Sequence, residues 1–131
     1  KMDLVTISEN ILRDCLGAKA GEEVYIVTDD TRVPIAQALY EGAKNLGCEA
    51  MVTVMKEREL NGQEPPKAVA AAMKAADIVI CPTAKSLTHT NARIQAVAEG
   101  TRVATMPGIT DAMFSQGAMT ADSSAVAAST A

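Results

Sequence analysis

Asp77-Ile-Val-Ile-Cys-Pro-Thr-Ala-Lys-Ser-Leu-Thr-His-Thr90 is the stretch that decides the fold. Its β-branched run, Ile78, Val79 and Ile80, is apolar at consecutive rather than alternating positions. Both faces of such a strand need cover, which is the pattern of a central parallel strand. The run stops at Pro82, and a polar loop, residues 83–88, feeds an amphipathic helix from about His89 to Glu99. Ile94, Val97 and Ala98 are expected to face inward on that helix, and Gly100 to stop it.

The same strand-then-helix plan repeats outward in both directions. Residues 24–27 form a first strand ending in the polar cluster Thr28-Asp29-Asp30-Thr31-Arg32. Pro34 then marks the first turn of a helix whose stripe is Ile35, Ala36, Leu39, Tyr40, Ala43 and Leu46. Gly47 ends it, and residues 50–55 are a second strand. Residues 56–64 make a long connection with a turn signal at Asn61-Gly62, after which Pro65 and Pro66 open a helix with Val69, Ala72, Met73 and Ala76 on one face. Ahead of all this, residues 2–16 carry the helical period and Gly17 stops them. Beyond the quoted stretch, residues 102–106 are a fourth strand broken by Pro107-Gly108, residues 111–114 one helical turn, and Met119 onward an Ala-rich helix. In that last segment Met119 and Val126 are the only sizeable apolar residues, so it can bury little alone. The chain is expected to stop where a larger protein would continue, and Lys1 ahead of a plausible initiator, Met2, points the same way.

Alternating strands and helices with crossovers of this length imply parallel, right-handed βαβ units. The expectation is a single α/β domain over residues 1–131, a three-layer, flavodoxin-like or Rossmann-like sandwich. Its mainly parallel sheet has about four strands in the order 2-1-3-4, with the helices after strands 1 and 3 on opposite faces. Ligands in such sheets bind beyond the carboxyl ends of the strands, where the helices diverge. The crevice is bounded by residues 28–32 and 83–88, and its candidate ligand-binding residues are Asp29, Asp30, Thr31, Arg32, Thr83, Lys85, Ser86 and His89.

Composition narrows the partners. With 2% aromatic residues and no Trp, the core is built from Val, Ile, Leu, Met and Ala, and stacking platforms for bases are lacking. A net charge of −4 repels a phosphate backbone, so no nucleic-acid partner is expected. No window reaches the roughly 18 apolar residues of a membrane span, no signal-peptide pattern is visible, and a cytoplasmic location is expected. Cys15, Cys48 and Cys81 form no C-x-x-C pair and are expected to be reduced and mostly buried.

The chemistry-bearing residues divide between a ligand role and a structural one. The 83–88 loop offers hydroxyls, the Lys85 ammonium and a helix amino terminus, a combination able to hold an anion, although a strand-to-helix loop in which Thr88 or Thr90 caps the helix is the simpler reading. No G-x-G and no Walker A pattern occurs, which excludes nucleotide binding by either glycine fingerprint. Asp29 and Asp30 are paired acids after a strand, as in Mg²⁺-binding phosphoreceiver domains, but Cys81-Pro82 stands where a receiver needs its phosphorylatable Asp. Turning the loop and capping the next helix is the simpler role for them. His89, the sole histidine, lacks the partners of a zinc site, and Cys81 would be a nucleophile only if His89 reached it.

At Gly62-Gln-Glu-Pro-Pro, at the run Ala70-Ala-Ala-Met-Lys-Ala-Ala-Asp-Ile-Val-Ile-Cys-Pro-Thr-Ala-Lys-Ser-Leu-Thr-His-Thr and at Arg102-Val-Ala-Thr-Met-Pro-Gly-Ile-Thr, the chain resembles the amino-terminal domain of the thermophilic metalloaminopeptidase family, the aminopeptidase T type. The Gly-Glu-Glu-Val-Tyr-Ile-Val-Thr-Asp-Asp segment fits as well. That superfamily also holds dihydroxypyridine ring-opening dioxygenases. The resemblance implies a parent enzyme with two divalent metal ions held by a carboxyl-terminal catalytic domain, acting on peptide substrates and forming a homo-oligomer. For this chain it implies no cofactor and no catalytic residue, but a supporting role as one wall of the cleft. The alternatives are the corresponding domain of a ring-cleaving dioxygenase and a stand-alone module that binds a small anion.

Overall fold

The computed structural model describes residues 3–119. Strands β1 (Glu23–Asp29), β2 (Glu49–Met55), β3 (Ile78–Thr83) and β4 (Arg102–Pro107) form one sheet in the order β2-β1-β3-β4, every pairing parallel. The expected 2-1-3-4 order and flavodoxin-like architecture are therefore what the chain adopts. All six residues of β3 are buried, as consecutive apolar positions require of a strand covered on both faces.

Among the described residues five helices complete the layers: α1 (Leu4–Asn10, continued by a π-helical turn, Ile11–Cys15), α2 (Val33–Asn45), α3 (Lys67–Ala75), α4 (Asn91–Ala98) and α5 (Asp111–Met119). Ile78 and Ile80 of β3 face a core made with Ile7, Leu12, Ile35, Leu39 and Phe114, from α1, α2 and α5. Val79 and Cys81 face the opposite core, filled by Val69 and Met73 of α3 and Ala92 and Ala96 of α4. The period of two along β3 thus sorts its side chains between two cores. Asp3 caps α1 by accepting from Thr6 N at 2.8 Å. α1 lies so close to α2 that a Cβ on Gly42 would come within 2.8 Å of Ser8 Cβ, so only glycine fits at that crossing.

Several boundaries differ from the sequence expectation, each for a local reason. α4 starts at Asn91 because Thr90 is its N-cap, accepting from Arg93 N at 3.2 Å. The face turned to the sheet also differs: Ala92 and Ala96 face the sheet and Val97 is half-buried against it, while Ile94 is 49% exposed and Ala98 also faces out. Small residues on the inner face let the helix approach the sheet, which a stripe of larger side chains would not. β1 extends to Asp29, and β3 runs through Pro82 to Thr83, with Pro82 O accepting from Thr28 Oγ1 at 2.8 Å across the strand pair. The turn expected at residues 111–114 is the start of the longer α5, whereas the Ala-rich helix expected from Met119 onward lies, after that residue, outside the described residues.

Candidate functional site

The carboxyl ends of β1 and β3 lie side by side at the point where α2 and α4 leave the sheet on opposite faces. This is the crevice that the strand order creates. Asp29, fully buried as the last residue of β1, spans it. One carboxylate oxygen accepts from Thr31 N at 2.8 Å and from Thr31 Oγ1 at 2.6 Å, while the other accepts from Ala84 N at 2.7 Å. The first pair of bonds folds the β1–α2 loop back on its own strand, and the third ties it to the β3–α4 loop. Asp30, one residue on, points to solvent. The two adjacent acids therefore do different jobs, one bonded inward and the other turned to solvent, and their carboxylates do not converge.

The β3–α4 loop is tied down in the same way. Thr83 Oγ1 donates to Lys85 O at 2.6 Å, Ser86 Oγ accepts from Thr88 N at 3.0 Å, and the Thr88 and Thr105 hydroxyls are 2.7 Å apart. The long connection after β2 closes over it: Asn61 Oδ1 accepts from Ser86 N at 2.8 Å, and Gly62 N donates to Ser86 O at 2.9 Å. Glu64 then reaches the amino terminus of α4, where its carboxylate accepts from Asn91 N at 2.7 Å and from Ala92 N at 3.1 Å. Together with Thr90, this acid supplies acceptors for the first donors of the helix. A visiting anion at α4 would have to displace a carboxylate already in place.

Of the candidate residues, the structure brings Asp29, Thr31, Thr83 and Lys85 into one bonded corner, since Ala84 lies between the last two. Arg32 is half-buried and donates to Thr31 O at 3.2 Å and to Thr31 Oγ1 at 3.0 Å, and its Nε has no hydrogen-bond partner. Ser86 is held through its N, O and Oγ, and His89 is exposed. Cys81 is fully buried, which pushes its thiol up to about 12, so it is no thiolate nucleophile at neutral pH. Sequence reasoning missed Glu64 and Asn61. Their only signal was an acid and an Asn-Gly turn in a long loop, and neither indicates which helix it will meet.

A pair of divalent ions, the group implied by the resemblance for a parent enzyme, does not fit these residues. Asp29 is occupied by three donors, and among the described residues no three His, Cys, Asp or Glu side chains come together. No helix among them is long and apolar enough to cross a membrane.

No known family pattern and no curated protein matches the chain. Among the solved structures that share its fold are the following two. A 2,5-dihydroxypyridine dioxygenase from Pseudomonas putida KT2440 aligns with a TM-score of 0.68 over 79% of this chain at 17% identity. A fatty acid ABC transporter substrate-binding protein from Thermomonospora curvata aligns with a TM-score of 0.59 over 90% of this chain at 15% identity. The chain spans about a third of each, 33% and 31%. At these identities the likeness is one of fold, a parallel α/β domain that larger proteins of different activity share.

Proposed function

We propose that this chain is a non-catalytic α/β domain of a two-domain metal-dependent enzyme, forming one wall of a cleft whose metals and reacting groups belong to a companion domain. One observation carries the reading. The polar groups at the sheet's carboxyl end are spent on holding their own loops, with Asp29 bonded to Thr31 and Ala84, and Glu64 to the first two amides of α4. A crevice wired in this way is rigid, which suits a wall, and offers no free acid, base or nucleophile in a shared position.

Aminopeptidase chemistry is the activity we assign to the parent, supported by the sequence stretches 62–66, 70–90 and 102–110 described above. A second reading, ring cleavage of a dihydroxypyridine, is favoured by the likeness to the Pseudomonas putida dioxygenase. The test uses the 131-residue chain and the same chain extended by whatever the gene encodes after Ala131. Both are assayed with leucyl p-nitroanilide in the presence of Zn²⁺, Co²⁺ or Mn²⁺, and with 2,5-dihydroxypyridine in the presence of Fe²⁺. The expected result is amidase turnover by the longer polypeptide and none by the shorter. Turnover by the 131-residue chain alone would overturn the wall reading, and ring cleavage without amidase activity would select the dioxygenase.

A further inference from the structure

β2 is the rim strand of the sheet, paired with β1 through all seven of its residues and with no strand on its outer side among the described residues. Natural rim strands are normally blunted by Pro, by an inward charge or by a bulge. Here residues 50–55 contain none of these: the run is Ala-Met-Val-Thr-Val-Met, paired without interruption. Met51 and Val54 are 41% and 49% exposed, and an open groove of about 400 Å³, lined by Gln37, Tyr40, Ala50, Met51 and Val52, runs beside the strand. An outer edge of this kind presents bare backbone donors and acceptors flanked by apolar side chains.

The sequence of the edge is self-complementary in antiparallel pairing. Met51-Val52-Thr53-Val54-Met55 reads the same in both directions. We propose that β2 pairs antiparallel with β2 of a second copy of this chain, around a two-fold axis through Thr53 and perpendicular to the sheet. Such an axis keeps each face of the sheet on its own side, so partners carry numbers of equal parity. Thr53 then meets its own symmetry mate, Val52 meets Val54, and Met51 meets Met55. Every central pair is of matching size and apolar or β-branched, the kind of cross-strand contact that stabilises a sheet. Glu49 begins the strand and Lys56 follows it. Antiparallel pairing sets Lys56 opposite Ala50 of the second copy and Glu49 opposite Glu57, so the apolar pairing of residues 51–55 carries the contact and the like charges lie at its two ends, beyond Met55. The two sheets become one of eight strands, and both grooves come together beside the axis. This proposal does not depend on the cleft-wall reading.

The experiment is light scattering on the 131-residue chain, with far-UV circular dichroism as the check on folding. The wild type is expected at twice its 13.6 kDa mass. Val54→Lys places a charge on a side chain already half-exposed, so it should fold normally and scatter as a monomer. In a Cys15→Ser background, Thr53→Cys should form an intermolecular disulfide under mild oxidation, because facing Cα atoms in antiparallel strands are about 4.5–5.5 Å apart, within disulfide reach. A monomeric wild type, a Val54→Lys variant that stays dimeric, or a dimer that Thr53→Cys fails to cross-link would each overturn the proposal. It would equally be overturned if β2 amides were protected from exchange in a longer polypeptide that remains monomeric, since the same chain would then cover the edge.

Discussion

β2 and β4 are the two rims of one sheet, each with a single hydrogen-bonded neighbour, yet they end in opposite environments. Both are short apolar strands: Ala-Met-Val-Thr-Val-Met in β2 and Val-Ala-Thr-Met in β4. In β4, Val103 and Ala104 are completely buried and Met106 nearly so, because α4 covers one face while α1 and α5 close the other. In β2 only Met55 is buried, in the core it shares with Val69 and Met73 of α3, while Ala50 and Val52 are half-buried on the α2 side and Met51 and Val54 are exposed. Composition made both of them strands. Whether a strand became core was decided by where the crossover helices landed.

The largest test of this contrast replaces one side chain on each rim. Met106→Ala should destabilise the chain by about 2–5 kcal/mol, the range for removing a large buried side chain. Val54→Ala, measured at concentrations too dilute for pairing, should stay within about 0.5 kcal/mol, as surface substitutions do. Urea unfolding of both variants checks this, and equal losses would mean that β2 is covered after all.

The carboxyl end of β1 repeats the contrast between neighbours one residue apart. Asp29→Ala deprives the amides of Thr31 and Ala84 of their acceptor, at a total cost of about 1–3 kcal/mol, most of it at the half-buried Ala84 because water reaches the exposed Thr31. Asp30→Ala should stay within about 0.5 kcal/mol. Hydrogen exchange sharpens the comparison, because the Ala84 amide should lose protection in the first variant and keep it in the second. Equal behaviour of the two would remove the structural role given to Asp29.

The smallest effect at neutral pH comes from the cysteines. Burial disfavours the Cys81 thiolate, so the folded chain holds that proton after the unfolded chain, with its ordinary value of 9.0, has released it. The resulting stability is fully present below pH 9.0 and is lost as the pH climbs towards about 12. Thermal melting between these limits should show the decline, and Cys81→Ser should flatten the part that this thiol causes. In the native chain iodoacetamide should modify Cys15, which is partly exposed, and leave Cys81 untouched. Labelling of Cys81 under native conditions would show that β3 opens more readily than a central strand should.

Much of this was readable before any coordinates. Ile78, Val79 and Ile80 in succession require cover on both sides, and the alternation of strand and helix leaves few topologies, so the order β2-β1-β3-β4 followed. The location of the crevice followed from that order. Which residues point into it did not. Asp29 and Asp30 look alike in sequence, and only the register of β1 and the closeness of Ala84 make the first a buried strap and the second a solvent group. The facing of α4 departs from its hydrophobic pattern at Ile94 and Ala98, which face out, while Val97 packs against the core beside Ala92 and Ala96, because the sheet takes the side with the small residues.

The sequence by itself determined the elements, their parallel arrangement and the absence of a glycine-rich nucleotide fingerprint, because these depend on residue type and spacing along the chain. Tertiary structure alone decided that Glu64 caps a helix 27 residues away, that Ser8 and Gly42 meet at a helix crossing, and that one apolar rim is buried while the other stays open. The physical reason is common to all three. Each depends on a contact between groups far apart in the chain, whose partners are chosen by packing and by the need of buried donors for acceptors, and no local pattern carries that information.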